Sequence, residues 1–470
     1  MQLLDLPKEI LEHISSYLPP ADIVRLGRTC KAAHDFVRPQ NQTLWRAAFL
    51  HVFDDPNDAW SMMPGHTPLA TERQWDWHHE LYTRLMALRG VQSKQCGFDS
   101  QAEAYLTTLL DIRDTAKFEL NARDIASGKV PREDDRTTSL NLQVLSALTA
   151  HRDGIESLIH DTGMQRTLRH ARSDERLLGA TLRFTRSMAA STNDQNRPES
   201  ASRLHVFYGL TTRERIEHRA RGAARRKVYN WSMSGPDNEY SPFRRDGSGT
   251  VDWSLLEAIV SVISRNFSMC VEGRLALPQG FCYSLPHRTL ADPTSPNDWA
   301  RVTGTWLGTY SWIDHNDLVA FNTWNNDIAT QPTLDDEPED CGELMRLELR
   351  LDDTVASDPR LATSLPASTD LPVLHFSGVS HSHTSMHRPA IGVRGCASLV
   401  PGGREVRWKF IINYAGHDQW QLEGVQPGGI RSGGVFGLWT QWDHDELGPI
   451  GPFCYFPREL CKPTSVVLAT

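Results

Sequence analysis

Apolar residues recur at three- and four-residue steps near the start of the chain: Leu6, Ile10, Leu11, Ile14 and Leu18, with Lys8, Glu9, Glu12 and His13 between them. That period predicts an amphipathic helix, and Pro7 suits its first turn, where a missing N–H costs no hydrogen bond. Pro19-Pro20 ends it. Asp22 then favours a second N-terminus ahead of Ile23, Val24 and Leu26, and Gly27 punctuates that stretch. Cys30, Ala33 and Val37 carry a third helical period closed by Pro39, and Leu44, Trp45, Ala48 and Phe49 form a fourth apolar cluster. Four short helices in about fifty residues bury too little surface to be strongly stable alone, so part of their apolar surface is expected to complete itself against a partner.

Pro56, Pro64, Gly65 and Pro68 mark a loop-rich passage, after which helical spacing resumes at Trp75, Leu81, Leu85 and Leu88. It continues through Tyr105, Leu106, Leu109, Leu110 and Ile112, then Leu142, Leu145, Leu148, Ile155 and Leu158. Residues 51–198 are therefore expected to be a helical domain, with a charged loop at 128–136 and a compositional linker at 189–203. Residues 199–298 read as a mixed connecting region. Within it, Ser254-x-x-Glu257 has the capping-box pattern ahead of Leu255, Leu256, Ile259, Val260 and Ile263, which predicts a buried helix near 254–266. Arg213, Arg215, Arg219, Arg221, Arg225, Arg226 and Lys227, interleaved with Glu214 and Glu217, are expected to form a solvated helix face.

From Trp299 the texture changes to short aromatic and β-branched runs broken by Gly, Pro, Asn and Asp, the pattern of antiparallel β structure. Strands are expected at Val302–Ile313, Leu318–Trp324, Leu344–Leu351, Val373–Phe376, Val406–Tyr414, Trp420–Val425 and Gly434–Trp442, making 299–465 a β-barrel-like domain. The acidic run 335–340 reads as a solvated loop, and the Ser/Pro/Thr-rich stretch from Asp358 to Asp370 as a mobile insertion. The glycine-rich stretch 424–434 lacks the Lys-Ser/Thr of a phosphate loop and reads as a tight connection that another backbone can approach. The expected fold class is multidomain α+β: an all-α N-terminal segment, a helical middle and a C-terminal antiparallel barrel-like domain.

With 470 residues the chain suggests two or three domains. Its net charge of −9 gives no general attraction to nucleic acid or anionic membrane. No apolar run approaches the length that spans a bilayer. The first residues carry no secretory pattern, and the eight cysteines include no Cys-x-x-Cys pair, so reduced thiols in the cytoplasm or nucleus are expected. His375, His381, His383 and His387 cluster in sequence, and His381-x-His383 has ligand-like spacing. The surrounding Ser/Thr/Pro loop contains no cysteine, and neither a metal nor a cofactor is expected. No nucleophile elbow, phosphate loop or catalytic cysteine signature is present.

Leu6-Pro7-x-Glu9-Ile10-Leu11-x-x-Ile14-x-x-Tyr17-Leu18, then Asp22-Ile23-x-Arg25-Leu26-x-Arg28-x-Cys30 and Leu44-Trp45, resemble the F-box family in order and spacing over residues 1–50. The resemblance implies docking onto the S-phase kinase-associated adaptor, which holds a cullin and a RING subunit. Leu6, Pro7, Ile10, Leu11, Ile14, Leu18, Ile23, Val24 and Leu26 carry over as adaptor-facing or supporting positions. On looser motifs, Gly308-Thr309-Tyr310, Trp439 and the run from Gly451 to Pro457, the C-terminal part resembles the β-barrel of the F-box only protein 31 group, which captures target C-termini. The expected function is the non-catalytic substrate-recognition subunit of a cullin–RING ubiquitin ligase. Tyr310, Trp312, Arg431, Trp439 and Trp442 are its candidate target-binding residues, and Arg431 is offered to a polar or charged chain end because a glycine turn makes it hard to bury. The alternative is a small-molecule- or carbohydrate-binding, or enzymatic, C-terminal domain with the F-box as a regulatory handle.

Overall fold

The N-terminal pattern folds into α1 (Lys8–Ser16), α2 (Pro20–Gly27), α3 (Lys31–Phe36) and α4 (Gln42–Leu50). The computed structural model describes residues 6–57, 75–117, 139–163, 197–271, 275–285, 297–324, 334–335, 339–382 and 391–463. Contacts divide the described residues into two units, those up to Ala201 and those from Ser202. The expected charged loop at 128–136 lies outside them, and the expected linker is already helical from Glu199.

In the first unit, Leu11 and Ile23 are buried with Leu44, Trp45, Ala48 and Phe49. Gly27 lets α2 and α3 close up, since a β-carbon there would lie 2.3 Å from Val37 Cγ2. Asn41 caps α4, accepting from Leu44 N–H (3.4 Å) while donating to the Phe36 carbonyl (3.0 Å). The helices α5 (Trp77–Gly90), α6 (Ala102–Asp114), α7 (Leu140–Ala147) and α8 (Arg152–Asp161) follow. Buried Asp54 ties three chain segments together, accepting from the backbone N–H groups of Lys117 and Leu140 (both 2.8 Å) and from Ser139 Oγ (2.6 Å).

The second unit begins within α9 (Glu199–Tyr208) and continues with α10 (Thr212–Ile216), α11 (Gly222–Val228) and α12 (Trp253–Cys270), with α13 (His315–Asn322) further on. Its strands are β1 (Leu275–Ala276), β2 (Gly304–Trp312), β3 (Asp340–Cys341), β4 (Met345–Leu351), β5 (Leu374–Ser382), β6 (Ile391–Leu399), β7 (Val406–Tyr414), β8 (His417–Gln426), β9 (Val435–Gln441), β10 (Ile450–Pro457) and β11 (Lys462–Pro463). β2 and β4 through β10 pair antiparallel in sequence order. β10 then returns to β2, with Phe453 opposite Tyr310 and Pro457 opposite Trp306, which closes an eight-stranded barrel. Its interior holds Trp306, Phe376, Trp408, Phe410, Phe453 and Tyr455, with Trp306 and Trp408 ring centroids 5.1 Å apart. The buried indole N–H groups are satisfied: Trp306 donates to the Val302 carbonyl (3.0 Å) and Trp408 to Gln426 Oε1 (3.1 Å).

Three strand expectations need correction. Leu318–Trp324 is not a strand: most of it lies in α13, which Asp314 caps by accepting from Asn316 N–H (2.8 Å). β6 was not anticipated because Gly392 and Gly395 interrupt its apolar pattern. A β-carbon on Gly395 would fall 2.2 Å from the Lys409 carbonyl oxygen and 2.5 Å from the Phe376 ring, so the interior rings require the glycine. β10 carries Gly451 and Pro452 and is buried along its whole length, so it shows no alternation.

The barrel is also covered outside. α12 lies over β9, β10 and β2, where Phe267 meets Phe456 at 5.5 Å and Asn266 Nδ2 donates to Ser311 Oγ (3.1 Å). The Asp358–Asp370 stretch is ordered by packing, against the expectation of a mobile insertion: Leu361 is buried against Cys396 and Ile411 on the outer wall. Capping of α12 also differs from expectation. Asp252, not Ser254, is the cap, accepting from Leu255 N–H (2.9 Å), which frees Glu257 to turn inward.

Glu257 and Glu214 clamp the buried His205 ring, Oε1 of Glu257 lying 2.5 Å from Nδ1 and Oε2 of Glu214 2.8 Å from Nε2. Thr211 adds donations to Glu214 from its N–H (2.9 Å) and hydroxyl (2.7 Å). Burial alone would lower the His205 pKa; the Glu214 and Glu257 carboxylates override it and push it up to about 10. A raised folded pKa means that the ion cluster's contribution is complete below about pH 6.5, the ordinary histidine value, and is lost as the pH rises through about 10. His205→Gln should cost about 3–5 kcal/mol of unfolding free energy at pH 6 by urea denaturation. The gap to wild type should narrow as the pH approaches 10.

Candidate functional site

On α1 the apolar stripe splits between two environments. Leu11 turns into the helical core, whereas Ile10 is 48%, Ile14 39% and Tyr17 69% exposed, and Val24 of α2 is 41% exposed. Pro7 is exposed, and Leu6, Leu18 and Leu26 are half-buried. Of the nine expected adaptor positions, Leu11 and Ile23 are thus core residues that can act only by supporting the surface. Tyr17 was not among the nine, although it continues the Ile10–Ile14 stripe one turn further.

The five expected target-binding residues do not form one groove. Tyr310 and Trp312, at the end of β2, stack with centroids 5.6 Å apart, and Tyr310 meets Trp439 edge-on at 6.1 Å. Trp420, which was not among the five, packs edge-on against Trp439 at 5.1 Å, and the half-buried Tyr414 completes the group. Burial raises the Tyr414 pKa, with the neighbouring Tyr310 adding to the shift. These rings point to the barrel interior at the end where β2, β7 and β9 finish, and so form an aromatic mouth. Trp439 is its buried floor, donating from Nε1 to the Ser311 carbonyl (3.0 Å), while Tyr310, Trp312, Tyr414 and Trp420 are half-exposed.

Arg431 lies at the opposite end, in the turn that precedes β9, and it is buried, at 8% exposure and φ +56°. The glycine turn does admit another backbone, but one from this chain. Gly433 N–H donates to the Tyr283 carbonyl (2.8 Å), and a β-carbon on Gly428 would lie 2.7 Å from the Ser284 carbonyl oxygen. Trp442 is exposed, yet the Arg360 guanidinium already sits 4.8 Å over its ring and pairs with Asp418.

The expectations of a solvated helix face for the basic run and a solvated loop for the acidic run also give way to pairing. Arg225 is fully buried and bonds to Glu339, and Arg226 pairs with Asp335, so the basic run and the acidic run partly neutralise each other. Arg407 and Lys409, on the outer wall, share Glu239 and Glu423, with Arg407 Nη2 at 2.7 and 3.0 Å. Burial would raise the Glu239 pKa, and the Arg407 guanidinium overrides it, holding the carboxyl at about 2. A cavity of about 310 Å³ lies beside Arg407 under the 356–373 stretch, lined by Leu361, His375 and Cys396. Burial pushes the Cys396 thiol up to about 11, which leaves it a poor nucleophile. His375 and His381 lie on β5; His383 and His387 are outside the described residues.

An F-box-like family model matches residues 3–51. The match covers α1 to α4, so the exposed Ile10–Ile14–Tyr17 stripe belongs to an F-box-like domain. No curated protein and no solved structure matches the chain, and the resemblance of the barrel to the F-box only protein 31 group gains no support. The barrel's role must therefore be read from its own residues.

Trp439 and Trp312 should separate floor from wall. Trp439→Ala should cost about 3–5 kcal/mol, whereas Trp312→Ala should leave the melting temperature within a few degrees, both read by thermal unfolding.

Proposed function

We propose that the protein is the substrate-receiving subunit of a cullin–RING ubiquitin ligase, working in the cytoplasm or nucleus. The F-box-like segment docks on the S-phase kinase-associated adaptor, through it on the cullin and RING subunits, and the aromatic mouth of the barrel holds the target. The observation that carries the reading is the exposed stripe of Ile10, Ile14 and Tyr17 on a four-helix segment matching the F-box-like model. A small helical unit that leaves such residues in water gains most by burying them on a partner.

The role is non-catalytic: the receptor raises the effective concentration of a target lysine near the charged conjugating enzyme. Among the described residues, the strongly shifted acids, bases and thiols support this reading. His205 is held between carboxylates, Glu239 against Arg407, and Cys396 and Cys461 are protonated by burial, which suits structural roles better than a poised acid or nucleophile.

Ile10→Asp with Ile14→Asp should abolish capture of purified adaptor in a pull-down while leaving the circular dichroism of the chain unchanged. Adaptor binding by the folded double variant at wild-type affinity would refute the docking surface. Proteins retained by that variant, lost from Trp312→Ala and ubiquitinated only when the stripe is intact are the expected targets.

A further inference from the structure

Among the described residues, the exposed charges of the rim segments around the aromatic mouth are carboxylates. Asp340, whose backbone pairs with Trp312, and Glu343 are exposed on one side, and Asp443, Asp445 and Glu446 are exposed in the turn between β9 and β10. Among the described rim segments, 339–345, 413–419 and 440–450, there is no Lys or Arg. The guanidiniums near the mouth are already paired: Arg346 with Glu348 (2.7 Å), Arg394 in a bidentate pair with Asp418 (2.8 and 2.7 Å), and Arg360, which reaches the rim over Trp442, with Asp418 as well. His444 supplies no compensating charge, because burial and the Lys409 ammonium lower its pKa and its ring stacks on Tyr240 at 3.7 Å. Arg431, the cation expected here from sequence, is at the other end of the barrel.

Aromatic faces attract cations through their quadrupole, and a surrounding ring of carboxylates adds to that attraction while repelling anions. The domain already shows the combination once, where the Arg360 guanidinium lies over Trp442 and pairs with Asp418. We propose that the mouth takes a basic segment of the target, with an arginine or lysine side chain laid against Tyr310 and Trp312 inside the acidic rim. This rests on the reading of the mouth as the target surface, and it names the chemistry of what binds there. An acidic chain end is disfavoured at such a mouth, and a neutral one gains nothing from the rim.

Random dodecapeptide display on the full chain, run in parallel on Trp312→Ala, separates the two layers. Peptides that depend on Trp312 should be enriched in Arg and Lys and depleted of Asp and Glu. Trp312-dependent peptides that are neutral or acidic would overturn the basic-segment inference and leave the mouth as the target surface, whereas no Trp312-dependent peptide at all would overturn both. Three synthetic peptides with a Gly/Ser frame and a central Arg-Ser-Arg, Gln-Ser-Gln or Glu-Ser-Glu give the quantitative arm. The Arg peptide should bind at least tenfold more tightly than the Gln peptide at low salt, weaken severalfold when the salt is raised, and lose roughly fivefold on Asp443→Asn, Asp445→Asn and Glu446→Gln combined. Equal binding of the Gln or Glu peptide, or an Arg affinity indifferent to the triple neutralisation, would overturn it. Arg431→Ala should change none of these affinities.

Discussion

Closure of the barrel by the β2–β10 pairing is the constraint on which the second unit depends. An open sheet of this size would leave two unpaired edges; joining the last strand to the first removes the main ones. The joint also sets the site. Placing Phe453 opposite Tyr310 fixes the register that brings Tyr310 beside Trp439, so the mouth is assembled from strands far apart in sequence. The interior rings fill the middle, and the rings at the mouth stay half-exposed.

The outer wall is buried too, and this explains the unusual place of the charges. Under α12 the covering contacts are apolar or neutral polar, as with Phe267 and Asn266. Under the 352–370 stretch and the loop bearing Glu239, the wall instead presents Arg394, Arg407, Lys409 and Glu423. Each charge meets an opposite one there, which is the condition for burial. Pairs of this kind fix how a covering segment sits more than they add to net stability. The basic and acidic runs of the chain, each solvent-like when taken alone, illustrate the same rule: Arg225 and Glu339 are buried because they are together.

The helical segment was legible because period and punctuation agreed: apolar spacing set α1, α2 and α4, and Pro and Gly closed them. Strands with continuous β-branched and aromatic runs, such as Val406–Tyr414, were legible for the same reason. β6 and β10 were not, since their glycines answer to rings on neighbouring strands and to a register that no local pattern contains. Tyr310, Trp312 and Trp439 could be picked out as aromatic, but Trp420 joins them only through pairing across the barrel. Arg431 was misread because a glycine turn looks solvent-facing. Its glycines instead admit Tyr283 and Ser284, and that approach buries the arginine. Tyr17 was the one missed position with a usable signal, lying in line with Ile10 and Ile14.

The closing joint also orders events during synthesis. Tyr310 leaves the ribosome roughly 140 residues before its partner Phe453, a wait of about 7–30 s at ordinary elongation rates. Over that interval the β10 side of β2 has no partner strand, and the barrel interior that holds the aromatic rings is not yet closed. The first strand therefore emerges long before the strand that completes it, and only the emergence of β10 lets the barrel close.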